Sequence, residues 1–298
     1  MFRRKIFRLR LPSRTLELGK RTLVMGVLNV TPDSFSDGGL FHDAGAAAGR
    51  ALEMESAGAD IIDIGGESTR PGSEGVSAAE QLRRILPVLE KLRGRLRIPI
   101  SIDTSNVEVA EAAVGAGAEI LNDVTGLRAD ARLAAVAARQ RLPLVLMHMR
   151  GEPRTMQTKP FARNTVSDVT SALRRSVGVA RRAGVSKSQI VLDPGIGFGK
   201  SYAQDYELIA RLPEISRLGF PLLVGTSRKK FIGRVLGGRP VTERLYGTAA
   251  TVTASILGGA HIVRVHDVAE MVQVAHVADA VLCPQSVSKS FYTLPRST

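Results

Sequence analysis

Alternation constrains this chain more than any other feature. From Thr22 onward, short apolar runs rich in β-branched residues take turns with longer stretches rich in Ala, Leu and Arg. The short runs lie at residues 23–28, 60–64, 98–102, 119–121, 142–146, 189–192, 220–224 and 261–265. After each comes a stretch of helical character, at 44–57, 77–93, 107–116, 131–141, 166–183, 205–212, 242–257 and 268–281. Buried strands followed by crossover helices give a parallel sheet. Eight such units predict an α/β fold, a single-domain (β/α)8 TIM barrel, which takes about 250 residues. Pairs of small residues, Ala57-Gly58, Ala116-Gly117, Ala183-Gly184 and Gly258-Gly259, precede four of the strands. A tight helix-to-strand turn needs a left-handed residue there. The expected organisation is a basic N-terminal arm at 1–21 that packs on or leads into the barrel, the barrel itself at 22–282, and a C-terminal tail at 283–298.

Composition narrows the function classes. With 44% hydrophobic and 23% charged residues among 298, the chain can fill a core and does not read as disordered. Its one cysteine, Cys283, cannot form an internal disulfide, and a reducing, cytoplasmic location is expected. The basic cluster Arg3, Arg4, Lys5, Arg8, Arg10 and Arg14 is interrupted by apolar residues and has no continuous apolar stretch behind it, so a secretory signal is not expected. A net charge of +13 suits an anionic partner, yet the arginines are dispersed, aromatics are 4% and Trp is absent. Stacking platforms for bases are scarce, and nucleic acid is not expected as a partner. Residues 245–263 carry no Asp, Glu, Lys or Arg but hold several Thr and Ser, His261 and the Gly258-Gly259 pair. They read as a buried helix, a turn and a strand, with no membrane span.

In a parallel α/β barrel the active site forms where strands lead into helices. Every one of those ends is polar here: Asn29, Asp63, Asp103, Asn122-Asp123, Met147-His148-Met149, Asp193, Gly225-Thr226-Ser227 and Arg264 with His266-Asp267. Any one Asp, Asn or Ser after a strand is equally well an ordinary helix cap. Eight converging on one mouth point instead to a small-molecule site.

Five segments carry a resemblance. They are LNVTPDSFSDGG at 28–39, DIGGESTRPG at 63–72, LDPGIGFGK at 192–200, GTSRKKFIG at 225–233 and RVHDV at 264–268. Across residues 22–279 the chain resembles the dihydropteroate synthase family, the pterin-binding enzymes of folate biosynthesis that sulfonamides target. The resemblance implies a transferase that joins 6-hydroxymethyl-7,8-dihydropterin diphosphate to p-aminobenzoate, releases pyrophosphate, uses Mg2+, and works as a cytoplasmic homodimer.

The resemblance also implies roles. Thr69, Asp103, Asn122, Met147, Asp193, Phe198, Gly225, Lys229, Arg264 and His266 would meet the pterin diphosphate. A pterin edge alternates donors and acceptors, so buried carboxylates, an amide and a cation suit it. Arg264, His266, Lys229 and Thr69 would carry the catalysis, because charge gathers on the departing diphosphate. Asn29 would give Mg2+ an amide oxygen beside substrate phosphates. Phe35, Ser68, Arg70, Pro71 and Ser227 would meet p-aminobenzoate, with Phe198 as a further wall. The loop 34–39 is expected to close over bound substrate.

Other readings were weighed. A surface ion pair with Asp267 would make Arg264 merely structural. Gly199-Lys200-Ser201 resembles a P-loop ending, but Pro194 stands where the first glycine belongs. Met147-His148-Met149 invites copper, although alternation sets His148 opposite the two methionines. The rival functions are a pterin-binding methyltransferase module and a non-catalytic paralogue. The diphosphate-directed Arg264, His266 and Ser68-Thr69-Arg70 argue against the methyltransferase.

Overall fold

The computed structural model describes residues 4–31, 40–67, 75–151 and 164–285. It opens with a hairpin, β1 (Phe7–Arg10) against β2 (Thr15–Leu18), paired antiparallel. Then follow β3 (Leu23–Asn29), α1 (Leu40–Ser56), β4 (Ile61–Gly65), α2 (Ala78–Leu92), β5 (Ile100–Asp103), α3 (Val107–Gly115), β6 (Ile120–Asp123) and α4 (Leu133–Gln140). The second half runs β7 (Leu144–Met147), α5 (Thr165–Arg182), β8 (Ile190–Asp193), α6 (Tyr202–Ala210), α7 (Leu212–Ser216), β9 (Leu223–Val224), α8 (Lys230–Val235), α9 (Leu245–Leu257), β10 (Ile262–Val265) and α10 (Val268–Leu282).

The strands β3 to β10 form one parallel sheet in the order β8-β7-β6-β5-β4-β3-β10-β9. It closes where Leu192 bridges Leu222 and the Leu192 N–H donates to the Pro221 carbonyl at 2.9 Å. The eight-stranded barrel expected from the alternation is therefore present. Helix starts are capped as their sequences suggest: Ser77 accepts from the Glu80 N–H, Asn106 from Val109, and Ser201 with Gln204 forms a capping box on α6. On α2 the residues Gln81, Ile85, Val88, Leu89 and Leu92 make the buried stripe, with charges on the other face. The four turn glycines, Gly58, Gly117, Gly184 and Gly259, all have φ between 95° and 110°.

Three features differ from expectation. The strand expected at 220–224 is regular only over Leu223–Val224, with Leu222 in a single bridge to Leu192, and Pro221 has no N–H to extend the ladder. The short helices α7 and α8 are additional, so the one-helix-per-strand count is exceeded. The basic arm holds the β1–β2 hairpin. Its Leu9 and Leu18, with Leu11 of the turn, pack on Leu23, Met25, Ile61, Ile120, Val145, Val191, Leu223 and Ile262 and plug the bottom of the barrel. Arg4, also in the arm, is buried: it donates to Thr22 Oγ1 at 2.6 Å, to the Ala260 carbonyl at 2.9 Å and to the Asp279 carboxylate. Residues 245–263 form α9, a turn and the start of β10, and among the described residues no helix is long and apolar enough to cross a membrane.

Candidate active site

The barrel interior changes character with height. Strand alternation points every second side chain inward, and the lower inward positions are the apolar plug just described. Two residues further along each strand, Ile61 gives way to Asp63, Ile120 to Asn122, Val145 to Met147, Val191 to Asp193, Leu223 to Gly225 and Ile262 to Arg264. Asp103 ends β5 beside them. Above this tier lies an open cavity, lined by Val27, Asn122, Val124, Met147, Asp193, Phe198, Gly225, Ser227, Lys229, Arg264 and His266.

Charges in the tier are tightly linked. Arg264 donates from Nε to Asp63 Oδ2 at 2.6 Å and from Nη2 to Asp103 Oδ2 at 2.8 Å. The same Asp63 oxygen accepts from Asn122 Nδ2 at 2.9 Å. The other oxygens, Asp63 Oδ1 and Asp103 Oδ1, are buried without a partner among the described residues, as is Ser101 Oγ. Unmet buried acceptors cost free energy until a donor arrives, and Asp63 and Asp103 carry theirs just behind the cavity wall, where Arg264 joins them to it. Burial pushes the Asp103 carboxyl upward, Arg264 opposes it, and Asp63 adds to the rise. Burial also works against the Arg264 charge, but Asp63 and Asp103 outweigh it and hold its pKa up.

On the opposite wall, Asp193 Oδ1 accepts from the Gly195 N–H at 2.7 Å, and burial raises its carboxyl against the pull of Lys229. Burial lowers Lys229 to about 8, although Asp193 and Asp205 favour its charge. Its Nζ donates to the Ile196 carbonyl and stands 4.6 Å from the centre of the Phe198 ring. At the rim, Ser227 Oγ lies 3.0 Å from His266 Nδ1 and accepts from the His266 N–H at 3.2 Å.

The expected site residues fall into four groups. Asn122, Met147, Asp193, Phe198, Gly225, Ser227, Lys229, Arg264 and His266 share the cavity wall. Asp103 stands behind it, reached through Arg264. Asn29 ends β3, half-buried, at the same end of the barrel. Phe35, Ser68, Thr69, Arg70 and Pro71 lie outside the described residues. The ion pair weighed between Arg264 and Asp267 does not form; Asp267 pairs with Arg228, while Arg264 turns inward to Asp63 and Asp103. As alternation required, Met147 and Met149 cluster with Val124 and Phe198 while His148 faces away, toward Lys200. Among the described residues no group of three His, Cys, Asp or Glu could hold a metal.

Sequence reasoning missed Val27 and Val124 and, although it counted Asp63 among the polar strand ends, gave that residue no role. Asp63 was legible in principle, since Ile61, Asp63 and Gly65 share one strand face and Asp63 stands in a recognised motif. Its weight comes from joining Asn122 and Arg264, partners 59 and 201 positions away along the chain.

Known proteins agree with this geometry. The family model described as pterin binding enzyme matches residues 25–266. The dihydropteroate synthase of Synechocystis is 51% identical over 88% of this chain and 91% of its own length. A crystal structure of the Clostridium difficile dihydropteroate synthase obtained with pteroic acid aligns with a TM-score of 0.84 at 46% identity, covering 89% of this chain and 98% of that one. The Xanthomonas albilineans dihydropteroate synthase with 4-aminobenzoic acid aligns with a TM-score of 0.87 at 42% identity over 94% and 99% of the two chains. Polar tier, barrel and sequence thus converge, and the chain belongs to the dihydropteroate synthase family of pterin-binding enzymes.

Proposed function

We propose that the chain joins 6-hydroxymethyl-7,8-dihydropterin diphosphate to p-aminobenzoate, forming 7,8-dihydropteroate and releasing pyrophosphate. The observation that carries this reading is the polar tier at the cavity: Asn122, Asp193, Lys229 and Arg264 on its wall, with Asp63 and Asp103, each partly unmet, buried behind it and joined to it through Arg264. Its carboxylates suit the N–H groups of the pterin ring, and the Lys229 ammonium suits a ring oxygen or nitrogen. Met147 and Phe198 supply apolar faces for the flat ring.

The arylamine nitrogen attacks the pterin methylene carbon with its lone pair, the C–O bond to the diphosphate breaks, and the amine proton passes to solvent. A neutral arylamine is nucleophilic already, so the work falls on stabilising the leaving group. His266 stands at the rim for that part of the substrate, and Thr69 belongs to the same proposal. Arg264 is shared with two carboxylates, so it orders the pterin side of the site as well as facing the diphosphate. Asn29 suits Mg2+, because an amide oxygen at the mouth matches an ion that takes few protein ligands and keeps water and phosphate oxygens. When bound, Mg2+ supplies charge neutralisation on the diphosphate. Phe35, Ser68, Arg70, Pro71 and Ser227 are proposed for p-aminobenzoate.

A homodimer and a cytoplasmic location complete the proposal. The mutually packed α6, α8 and α9 carry exposed Tyr202, Val235 and Tyr246, an apolar surface suited to a second copy. Light scattering would report a dimer that Tyr246→Glu weakens. The function is tested by incubating purified protein with both substrates and Mg2+. Dihydropteroate and pyrophosphate in equal amounts are expected, and a folded protein that releases neither would refute the assignment.

A further inference from the structure

The segment after β8 carries Phe198 to the cavity wall and bends through the left-handed region at Gly195, Gly197 and Gly199, with φ of 66°, 84° and 67°. A Cβ on Gly195 would lie 1.9 Å from the His148 carbonyl oxygen, and one on Gly199 would lie 2.2 Å from that of Arg150. No side chain fits at either place. A backbone folded so tightly against the end of β7 turns carbonyl groups inward, and buried carbonyls need donors.

One side chain supplies them. Lys200 is fully buried. Its Nζ donates to the carbonyls of Gly195 at 2.6 Å, His148 at 3.0 Å and Phe198 at 3.1 Å, and lies 2.8 Å from His148 Nδ1. Burial and the adjacent Lys200 lower His148 to about 2, so the ring is neutral, and its Nε2–H tautomer leaves Nδ1 to accept from Lys200. His148 Nε2 lies 3.4 Å from Asp168, which pairs with Arg150, and Arg150 donates back to the Gly199 carbonyl at 3.4 Å. Lys200 does not line the cavity. A buried ammonium carries a desolvation penalty of several kcal/mol, so four converging acceptors mark it as a clamp rather than a space-filler.

The clamp bears directly on the site. The segment it holds gives Lys229 two of its neighbours, the Ile196 carbonyl and the Phe198 ring, and its Gly197 N–H donates to Asp205 at 2.6 Å. We propose that Lys200 is a positioning residue of the pterin pocket: it ties residues 195–199 to the end of β7 and so presets Phe198 and the Ile196 carbonyl around Lys229. It touches no substrate. The proposal rests on the reading of the cavity as a pterin site.

The test is calorimetric titration of 6-hydroxymethylpterin into the full chain and its Lys200→Met variant across a pH range. Wild-type protein that fails to bind would refute the pterin reading itself, not the clamp. With wild-type binding in place, Lys200→Met is expected to raise Kd at least tenfold. Its alkaline limb should move to higher pH, because the neighbouring Lys200 charge is gone and a loosened segment lets water reach Lys229. Unchanged affinity with an unmoved limb in a folded variant would overturn the proposal. If Lys200→Met does not fold, the pair His148→Leu and His148→Asn decides. Asn keeps an acceptor for Nζ and is expected to bind near wild type, whereas Leu should bind several-fold more weakly; equal affinity in the two would overturn the clamp.

Discussion

Arg264 on β10 donates from its Nε to Asp63 on β4 at 2.6 Å, reaching past β3, the strand between them. That contact makes the polar tier one connected unit, since Asp63 also holds the Asn122 amide by its Nδ2. Removing the cation leaves two buried carboxylates facing each other. Arg264→Ala is expected to lower turnover by about 10²–10³. It should also lower urea stability by up to about 3–5 kcal/mol, as for a broken buried pair. An intact kcat from steady-state kinetics would confine Arg264 to a structural role.

Asp103 has one oxygen on Arg264 and one without a partner among the described residues. An amide at this position presents hydrogens where the pterin needs an acceptor. Asp103→Asn should weaken pterin binding by about 1.5–3 kcal/mol, the range of a hydrogen bond to a charged group. Titration of the folded variant with unchanged affinity would remove Asp103 from the pterin edge.

Lys229 gives opposite signs for binding and stability. Burial lowers it to about 8 from 10.5. Pterin affinity should therefore fall as pH rises through about 8, where the ammonium is lost. Between the two values the unfolded chain binds more protons than the folded one, so stability rises with pH. The cost of burying the charge is full below the lower value and is relieved as pH climbs above it. Calorimetry and urea melts across that window check both slopes; a flat binding profile would mean the Lys229 charge is not used.

The bottom of the barrel should be separable from its mouth. Arg4 and Asp279 are both buried and bonded to each other, and Asp279 also accepts from the Thr22 N–H at 2.6 Å. Arg4→Met leaves that carboxylate without its cation and is expected to cost about 3–5 kcal/mol in a denaturant melt. Pterin affinity of the folded variant should stay unchanged, and a large loss would show that the plug reaches the site.

What the sequence disclosed follows from period and length. A buried parallel strand reads as an apolar run that ends where the core ends, so the eight strand ends and their polar residues were visible before the fold was known. The β1–β2 hairpin was not, because its inward leucines, Leu9 and Leu18, alternate with Arg8, Arg10 and Glu17, and the charges dominate the composition of the arm. Lys200 could not be read at all. Its neighbours in the chain gave only a failed P-loop likeness, and its real surroundings are carbonyls brought together by three left-handed glycines and the end of β7. The orientation of Arg264 was likewise hidden: Asp267 is three residues away in the chain, but the buried carboxylates that hold it are on β4 and β5.

The most direct test of the account is a crystal structure of the chain with pteroic acid. The account predicts the pterin ring inside the barrel mouth, between Met147 and Arg264, its edge bonded to Asp103, Asn122 and Asp193 and its benzoate end toward Ser227. Density for the ring outside the mouth, with the unmet oxygens of Asp63 and Asp103 still empty of ligand donors, would contradict it.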